Sequence, residues 1–390
     1  VNISSFKLTN ILQLVRGSIL AQLVFVIVTP VLTRIYTPEQ MGIFGVFFAA
    51  VLVLSRIACL RFDLAIPLPR TDAAAFHLLI AAFVSSIFLV LTGICINRFL
   101  LSSNFFGQSG HVLQRFDVVL AIGIISFVTF EALTYWNTRH KKFDVVANGK
   151  IITSTTLAAS QLMGFFFNQK LIILLVAYPI SMFIGIVYML RKFENAKRLA
   201  KRLRIEVAKK VIYRHRDFPL VSVWTTSLTE LAQSLPLLVI TFLFGNTEAG
   251  FFFLARRIGL VPTSVVGRAI SLVNYSDMAD VKKNDTLKEM LVEQIRNLQY
   301  LTLIPATLLA LLAPSVSSLA LGDTWRDVGV FLLLMTPFVY IKLIFSPMNA
   351  INYIQGWQKI GISARELLSP TLKQLLFVVP IVALYFIYFK

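Results

Sequence analysis

Charge is scarce in this chain, and so are the residues from which metal and catalytic sites are usually built. Of its 390 residues 14% are charged, two are cysteine and four are histidine. Cys59 and Cys95 fall inside apolar runs and read as small apolar residues, which excludes a disulfide framework or a cysteine-bound zinc. His77, His111, His140 and His215 are dispersed, no glycine-rich phosphate loop follows a strand, and the outer loops are too short for an active-site domain. The chain is therefore expected not to be an enzyme and to need neither metal nor cofactor. Acidic residues are scarcer than basic ones, 19 against 37, for a formal net charge of +18.

What fills the chain instead is apolar: 57% hydrophobic residues and a mean hydropathy of +0.77. No soluble fold of this length has enough interior for that surface. A helical span needs about 20 mostly apolar residues, and eleven such runs are predicted near 10–35, 41–60, 73–97, 115–136, 145–168, 171–190, 218–245, 250–275, 297–321, 327–355 and 370–389. The runs are continuous and not alternating, which excludes a β-barrel. The expected fold class is all-α, a polytopic membrane helical bundle. The first run is too long for a signal peptide and lacks a small-residue cleavage site, so it is expected to stay attached.

Lys and Arg set the orientation. With the N-terminus cytoplasmic, the inner side holds Lys7, Arg61, Arg70, Arg139, Lys141, Lys142, eleven basic residues from Arg191 to Arg216, the cluster from Lys282 to Arg296, Lys359 and Arg365. The outer side holds Arg98, Arg115, Lys170 and Arg326, with Arg34 near an outer helix end. This asymmetry accounts for the net charge, because anionic lipids of the inner leaflet attract juxtamembrane basic segments. Anionic membrane lipids are thus expected partners, and nucleic acid is not.

The longest polar stretch divides the spans into an N-terminal bundle at 1–190, a basic cytoplasmic linker at 191–217 and a C-terminal bundle at 218–390. In the linker Leu199, Leu203, Val207 and Val211 follow helical spacing among cations, which fits either a helix lying on an anionic membrane surface or a solvated connector. A shift of 208 positions sets Glu39-Gln40-Met41-Gly42-Ile43-Phe44 against Thr247-Glu248-Ala249-Gly250-Phe251-Phe252, and Ser18 and Gln22 against Thr226 and Glu230. Six spans lie between the copies, so the repeat is parallel and the halves are pseudo-symmetric six-helix units, the second a span short. Thr286-Leu287-Lys288-Glu289 reads as a capping-box start for a further amphipathic helix.

Ionisable groups inside spans cost about 2.5–3.5 kcal/mol or more and mark function by default. Arg257 and Arg268 are eleven residues apart, ~16 Å along one helix face, with Ser264 on the same stripe. Arginine suits phosphate through its planar fork and permanent charge, so this face, with Arg16 and Arg56 from the first two spans, is a candidate anion site. Snorkelling to an interface is the alternative for Arg268, for Arg256 and for Arg56, which lies near an inner end. Glu131 and Lys342 lie near the midplane in the fourth span of each half, and an ion pair between them, as a lock or a gate, is the simplest account. Ion coupling at a protonatable Glu131 or Glu230 is the sharper one.

Four stretches, LTRIYTPEQMGIFGVF at 32–47, LRFDLAIPLPRTDAA at 60–74, YWNTRHKKFDVVANGKI at 135–151 and SPMNAINYIQGWQKIG at 346–361, resemble the Wzx-type polysaccharide flippases, of the multidrug/oligosaccharidyl-lipid/polysaccharide exporter superfamily. The resemblance covers nearly the whole chain. It implies two six-helix bundles forming a V like that of the MATE transporters and a central cationic cavity in the bacterial inner membrane. The cargo it implies is an undecaprenyl-pyrophosphate-linked oligosaccharide for O-antigen or capsule, with a polysaccharide polymerase and a chain-length regulator as further partners. A cation-coupled multidrug exporter would instead show an acidic and aromatic cavity. A polymerase or glycosyltransferase would show a large extramembrane catalytic loop.

The charge asymmetry makes a direct topological prediction. Single cysteines placed at 61–72, 139–144, 191–217 and 277–296 should react only from the cytoplasmic side, and cysteines at 245–250 only from outside. External labelling of 191–217 would invert the orientation.

Overall fold

The computed structural model describes residues 3–100, 116–193, 196–201, 203–261 and 312–345, and all its regular elements are helical. In chain order these are α1 (Ile3–Ile35), α2 (Pro38–Ala58), the single turn α3 (Phe62–Ala65), α4 (Asp72–Leu100), α5 (Asp117–Arg139) and α6 (Phe143–Leu162). They continue with α7 (Lys170–Arg191), the short α8 (Ala196–Ala200), α9 (Ile205–Arg214), α10 (Val223–Phe244), α11 (Asn246–Gly259), α12 (Leu312–Leu321) and α13 (Arg326–Phe345). Among the described residues six helices are long and apolar enough to cross a membrane: Arg16–Ile35, Pro38–Ala58, Asp72–Cys95, Asp117–Arg139, Lys170–Arg191 and Phe218–Phe244. Helix α6 matches the fifth predicted span in position, and Asp144 and Lys150 make it more polar than the others. The last predicted span, the Thr286–Glu289 capping box and the family-like stretch at 346–361 lie outside the described residues.

Backbone contacts divide the chain into two compact units. One comprises Val1–Val15, Val26–Gly42 and Pro236–Lys390, the other Arg16–Phe25 and Ile43–Leu235.

In the first unit, the turn between α1 and α2 is written in the sequence. Thr37 N–H donates to Gln40 Oε1 and Gln40 N–H donates to Thr37 Oγ1, at 3.2 and 3.3 Å, a capping box with Pro38 at the first helical position. The end of α1 leaves carbonyls without intrahelical partners, and the fully buried Trp325 donates its indole N–H to one of them, Thr33 O, at 2.9 Å. Phe251 of α11 meets the Trp325 ring edge-on. The start of α2 then crosses the start of α11 at two glycines. A Cβ on Gly42 would collide with the Asn246 carbonyl, and a Cβ on Gly250 with the Pro38 carbonyl. Under the 208-residue shift Pro38 corresponds to Asn246 and Gly42 to Gly250, so each copy makes toward the other the contact it receives. That reciprocity is the signature of a two-fold relation, and it supports the repeat read from sequence.

In the second unit, small residues again allow close approach, as expected where lipid supplies no hydrophobic drive between helices. Gly17 of α1 faces Ala147 of α6, and Gly185 of α7 faces Thr153 of α6 and Phe130 of α5. A second core lies at one end of α4 and α5, where Trp136 stacks on Phe193 at 4.7 Å and Phe76 meets both edge-on. The basic linker is tied to this core. Leu199 is buried in it, and Val211 and Ile212 of α9 pack against it together with Phe218. The backbone N–H of Arg204 donates to Nε2 of the buried His77. Part of the 199–211 stripe is thus covered by α4, while Leu203 and Val207 stay exposed.

The glycine crossing has a direct consequence for stability. Gly42→Ala and Gly250→Ala should each lower thermal stability in detergent, by about 1–3 kcal/mol as overpacking against a backbone does. Gly93→Ala, at an exposed helical glycine with open space around it, should be neutral or stabilise by up to ~1 kcal/mol.

Candidate functional site

Arg56 closes the last turn of α2, where the sequence allowed it to reach for the interface. It turns inward instead. Its Nε and Nη2 donate to Glu230 Oε1 of α10 at 3.3 and 3.1 Å, and its Nη1 lies 3.8 Å from Glu131 Oε2 of α5. The Phe127 ring covers the guanidinium at 5.3 Å. The three side chains are 16–24% exposed, so the pairing is largely withdrawn from solvent. One guanidinium thus serves two carboxylates from two different helices. Asp63, Arg61 and, from α6, Lys150 also act on Glu131 at longer range, and Tyr135 stands on the same helix.

Immediately after α2 the chain makes a strained turn. Leu60 and Arg61 both have left-handed φ, +49° and +56°, a region that costs a residue with a Cβ roughly 1–2 kcal/mol. The turn is held by what it buries. Arg61 Nη1 donates to Asp63 Oδ2 at 3.0 Å, with both side chains at most 6% exposed, and the Cys59 thiol donates to Asp63 Oδ1. Arg61 Nε is buried without a hydrogen-bond partner. Farther along, Arg139 at the end of α5 donates to the carbonyls of Pro67 and Pro69 and to Asp72 Oδ1, the last at 3.1 Å. His140 adds a contact to Asp72 at 3.5 Å. The 60–72 segment is therefore clamped at both ends.

Three of the expected site residues are brought together, then: Arg56, Glu131 and Glu230. The cation beside Glu131 within its own unit is Arg56, and the Lys342 ammonium, which belongs to the other unit, lies over the Phe338 ring at 5.6 Å. Depth along a span can be read from sequence, but the azimuth that selects a partner is set by packing. Arg257 is half-buried with its guanidinium 5.8 Å over the Phe253 ring, and Arg16 is exposed on α1. Ser264 and Arg268 lie outside the described residues. The Arg61–Asp63 pair escaped the sequence reading, which counted Arg61 as a solvated loop cation. Its signal was an Arg-x-Asp placed directly after a span, too close to the membrane for two free charges. Among the described residues no set of three metal-ligating side chains converges.

Removing one partner of a withdrawn ion pair costs about 3–5 kcal/mol because the other charge is stranded. Arg56→Ala should therefore destabilise strongly in thermal unfolding, and adding Glu230→Gln should recover part of the loss, with a coupling of about 0.5–3 kcal/mol in the double-mutant cycle. Strict additivity of the two changes would mean that the pair carries no stability.

With this geometry in view, the relatives are informative. The fold is similar to that of a multidrug resistance MATE family transporter of the MOP superfamily that was solved in an inward-facing conformation, at a TM-score of 0.62 and 15% identity, covering 93% of this chain and 88% of that one. A MATE in complex with MaL6 gives the same TM-score and identity over 98% and 88%. A MOP superfamily transporter from Pyrococcus furiosus, described as having a binding pocket of reverse polarity that suggests a different function, aligns at 0.51 and 14% identity over 95% and 93%. The curated proteins give no match. The family model for polysaccharide biosynthesis proteins matches residues 31–329, most of the chain and all of the ion cluster described above, and the protein belongs to that polysaccharide biosynthesis family.

Proposed function

We propose that this protein moves an undecaprenyl-pyrophosphate-linked oligosaccharide repeat unit from the inner to the outer leaflet of the bacterial inner membrane, for assembly of O-antigen or capsule. The observation that carries the reading is the conjunction of a polysaccharide biosynthesis family match over 31–329 with a MATE-like membrane transporter fold. A pyrophosphate cannot cross hydrocarbon unaided, because its charge would be stripped of water at high cost. Cations on a path between the two bundles, 1–190 and 218–390 joined by the linker 191–217, would replace that water. Arg16, Arg257, Ser264 and Arg268 are the residues we assign to the anion, with Lys342 as a gate. The sugars travel in water and the polyprenyl tail stays in lipid, so rocking of the bundles suffices and no covalent step is required. The N-terminus is cytoplasmic on this reading. Anionic lipids attend the basic linker, and a polymerase and chain-length regulator take up the product.

Arg56 has a double part in this scheme. While Glu131 and Glu230 occupy its guanidinium, it offers little to a phosphate. An arriving pyrophosphate competes for the same fork, and each carboxylate it displaces loses its counter-ion in a largely buried place, where a coupling cation would take its turn. The groups that bear on this step are Arg56 of α2, Arg61 and Asp63 beside α3, Lys150 of α6 and Tyr135 of α5. Cargo entry and ion uptake become linked without a direct contact between them.

The test is transbilayer movement of a fluorescent undecaprenyl-pyrophosphate oligosaccharide in proteoliposomes. The wild-type protein should move it. Losing one charge-assisted contact, worth about 1.5–3 kcal/mol, should slow Arg257→Ala by roughly tenfold or more. Arg257→Lys should be intermediate and Arg257→Glu inactive. Glu131→Gln and Glu230→Gln should flatten the dependence of movement on a pH gradient. The shared guanidinium favours one other reading, a cation-coupled multidrug exporter, because carboxylates able to take up protons are what such coupling needs. Proteoliposomes that leave the lipid-linked sugar in place but expel a cationic drug, with the same glutamate dependence, would replace the first reading by the second.

A further inference from the structure

The connection between α6 and α7 is a 3-10 turn, Met163–Phe166, followed by an extended Phe167. Beside it a cavity of about 530 Å³ opens on the side of the helix pair. It is lined by Met163 and Phe167 from the turn and by Ile173, Ala177 and Ile180 of α7, and Ala177, with 1% exposure, adds little bulk. Two of its three polar lining residues, Asn168 and Gln169, lie at the turn end, and the third is Ser160 of α6.

Three features of this cavity agree on its occupant. From Gln169 to Ile180 the α7 face runs eleven residues, ~16 Å at helical rise, and one leaflet of a hydrocarbon core about 30 Å thick is ~15 Å deep. The polar end stands at the start of a membrane-crossing helix, beside Lys170, while the apolar walls run toward its middle. Phe165 and Phe166 of the same 3-10 turn are 71% and 74% exposed, large apolar surface that favours lipid over water. We propose that the groove seats one acyl chain of a phospholipid from the leaflet on the α6–α7 turn side, its headgroup beside Asn168, Gln169 and Lys170. A polyprenyl tail long enough to pass both leaflets does not fit a groove that stops at Ile180. A seated lipid would hold the turn at a fixed depth while neighbouring helices move. The proposal is independent of which cargo the protein carries.

The probe is a phospholipid with a photoreactive acyl chain, incorporated with the full-length protein into nanodiscs, and the readout is the cross-linked peptide by mass spectrometry. Peptides covering 160–180 should be labelled at least fivefold above those of the equally exposed α4 face around Phe88. Filling the floor with Ala177→Trp, or with the gentler Val176→Trp should the first fail to elute as a monodisperse species, should abolish that excess. Phe183→Trp, on α7 outside the groove, should keep it. Labelling of 160–180 no stronger than at α4, or an excess that survives a filled groove in a folded variant, overturns the proposal. So does displacement of the label by undecaprenyl phosphate at equimolar phospholipid, which would assign the groove to the isoprenoid instead.

Discussion

A guanidinium among membrane-crossing helices has to be neutralised where it stands, and Arg56 meets that demand with carboxylates from two other helices. The consequence is structural before it is functional. Glu131 on α5 and Glu230 on α10 must be turned toward the same point on α2, which fixes the rotation of three helices that apolar packing alone would leave free to slip. A buried pair of this kind adds little net stability over a well-packed apolar contact, but breaking it is costly. Its effect is specificity: registers that strand the arginine are excluded.

The strained turn that follows α2 depends on the same arrangement. Two successive left-handed residues, Leu60 and Arg61, reverse the chain so that Asp63 comes back beneath Arg61, within electrostatic reach of Arg56 and Glu131. Arg139 then takes the carbonyls of Pro67 and Pro69 and the Asp72 carboxylate, joining the far end of the turn to the helix that carries Glu131. Motion of α5 along its axis would therefore pull on the 60–72 segment and on the ion cluster together. Such a linkage is what a transporter needs if occupation of an internal charge is to be felt at the membrane surface.

Much of this fold was legible because its signals are local. Span positions follow from runs of apolar residues, and the family from motifs that proved to be the turns themselves: 60–74 is the strained, clamped segment, and 135–151 contains Arg139 and His140. The partner of Glu131 was not legible. Its depth can be read from the span, whereas Arg56 reaches it from a helix end by the length of its side chain. The linker's stripe leaves two readings open, and what covers it at Leu199 and Val211 is distant in sequence: Phe76, Trp136 and Phe193, around which those two residues pack.

The internal repeat relates these two kinds of feature. Where the copies meet they are alike: Gly42 against Asn246 and Gly250 against Pro38, a crossing that a side chain on either glycine would block. Where they carry charge they are not. Under the same 208-residue shift Arg56 corresponds to Ser264 and Glu230 to Gln22, so the ion cluster is drawn from positions at which the other copy is neutral. A two-fold contact tolerates little divergence, because each change is met by its counterpart's backbone. A withdrawn charge tolerates little duplication, because two copies of Arg56 would need four carboxylates in a chain that has 19 acidic residues in all. The symmetric contact and the asymmetric charges thus answer to different constraints, the first to how closely two backbones can approach and the second to how many counter-ions the chain supplies.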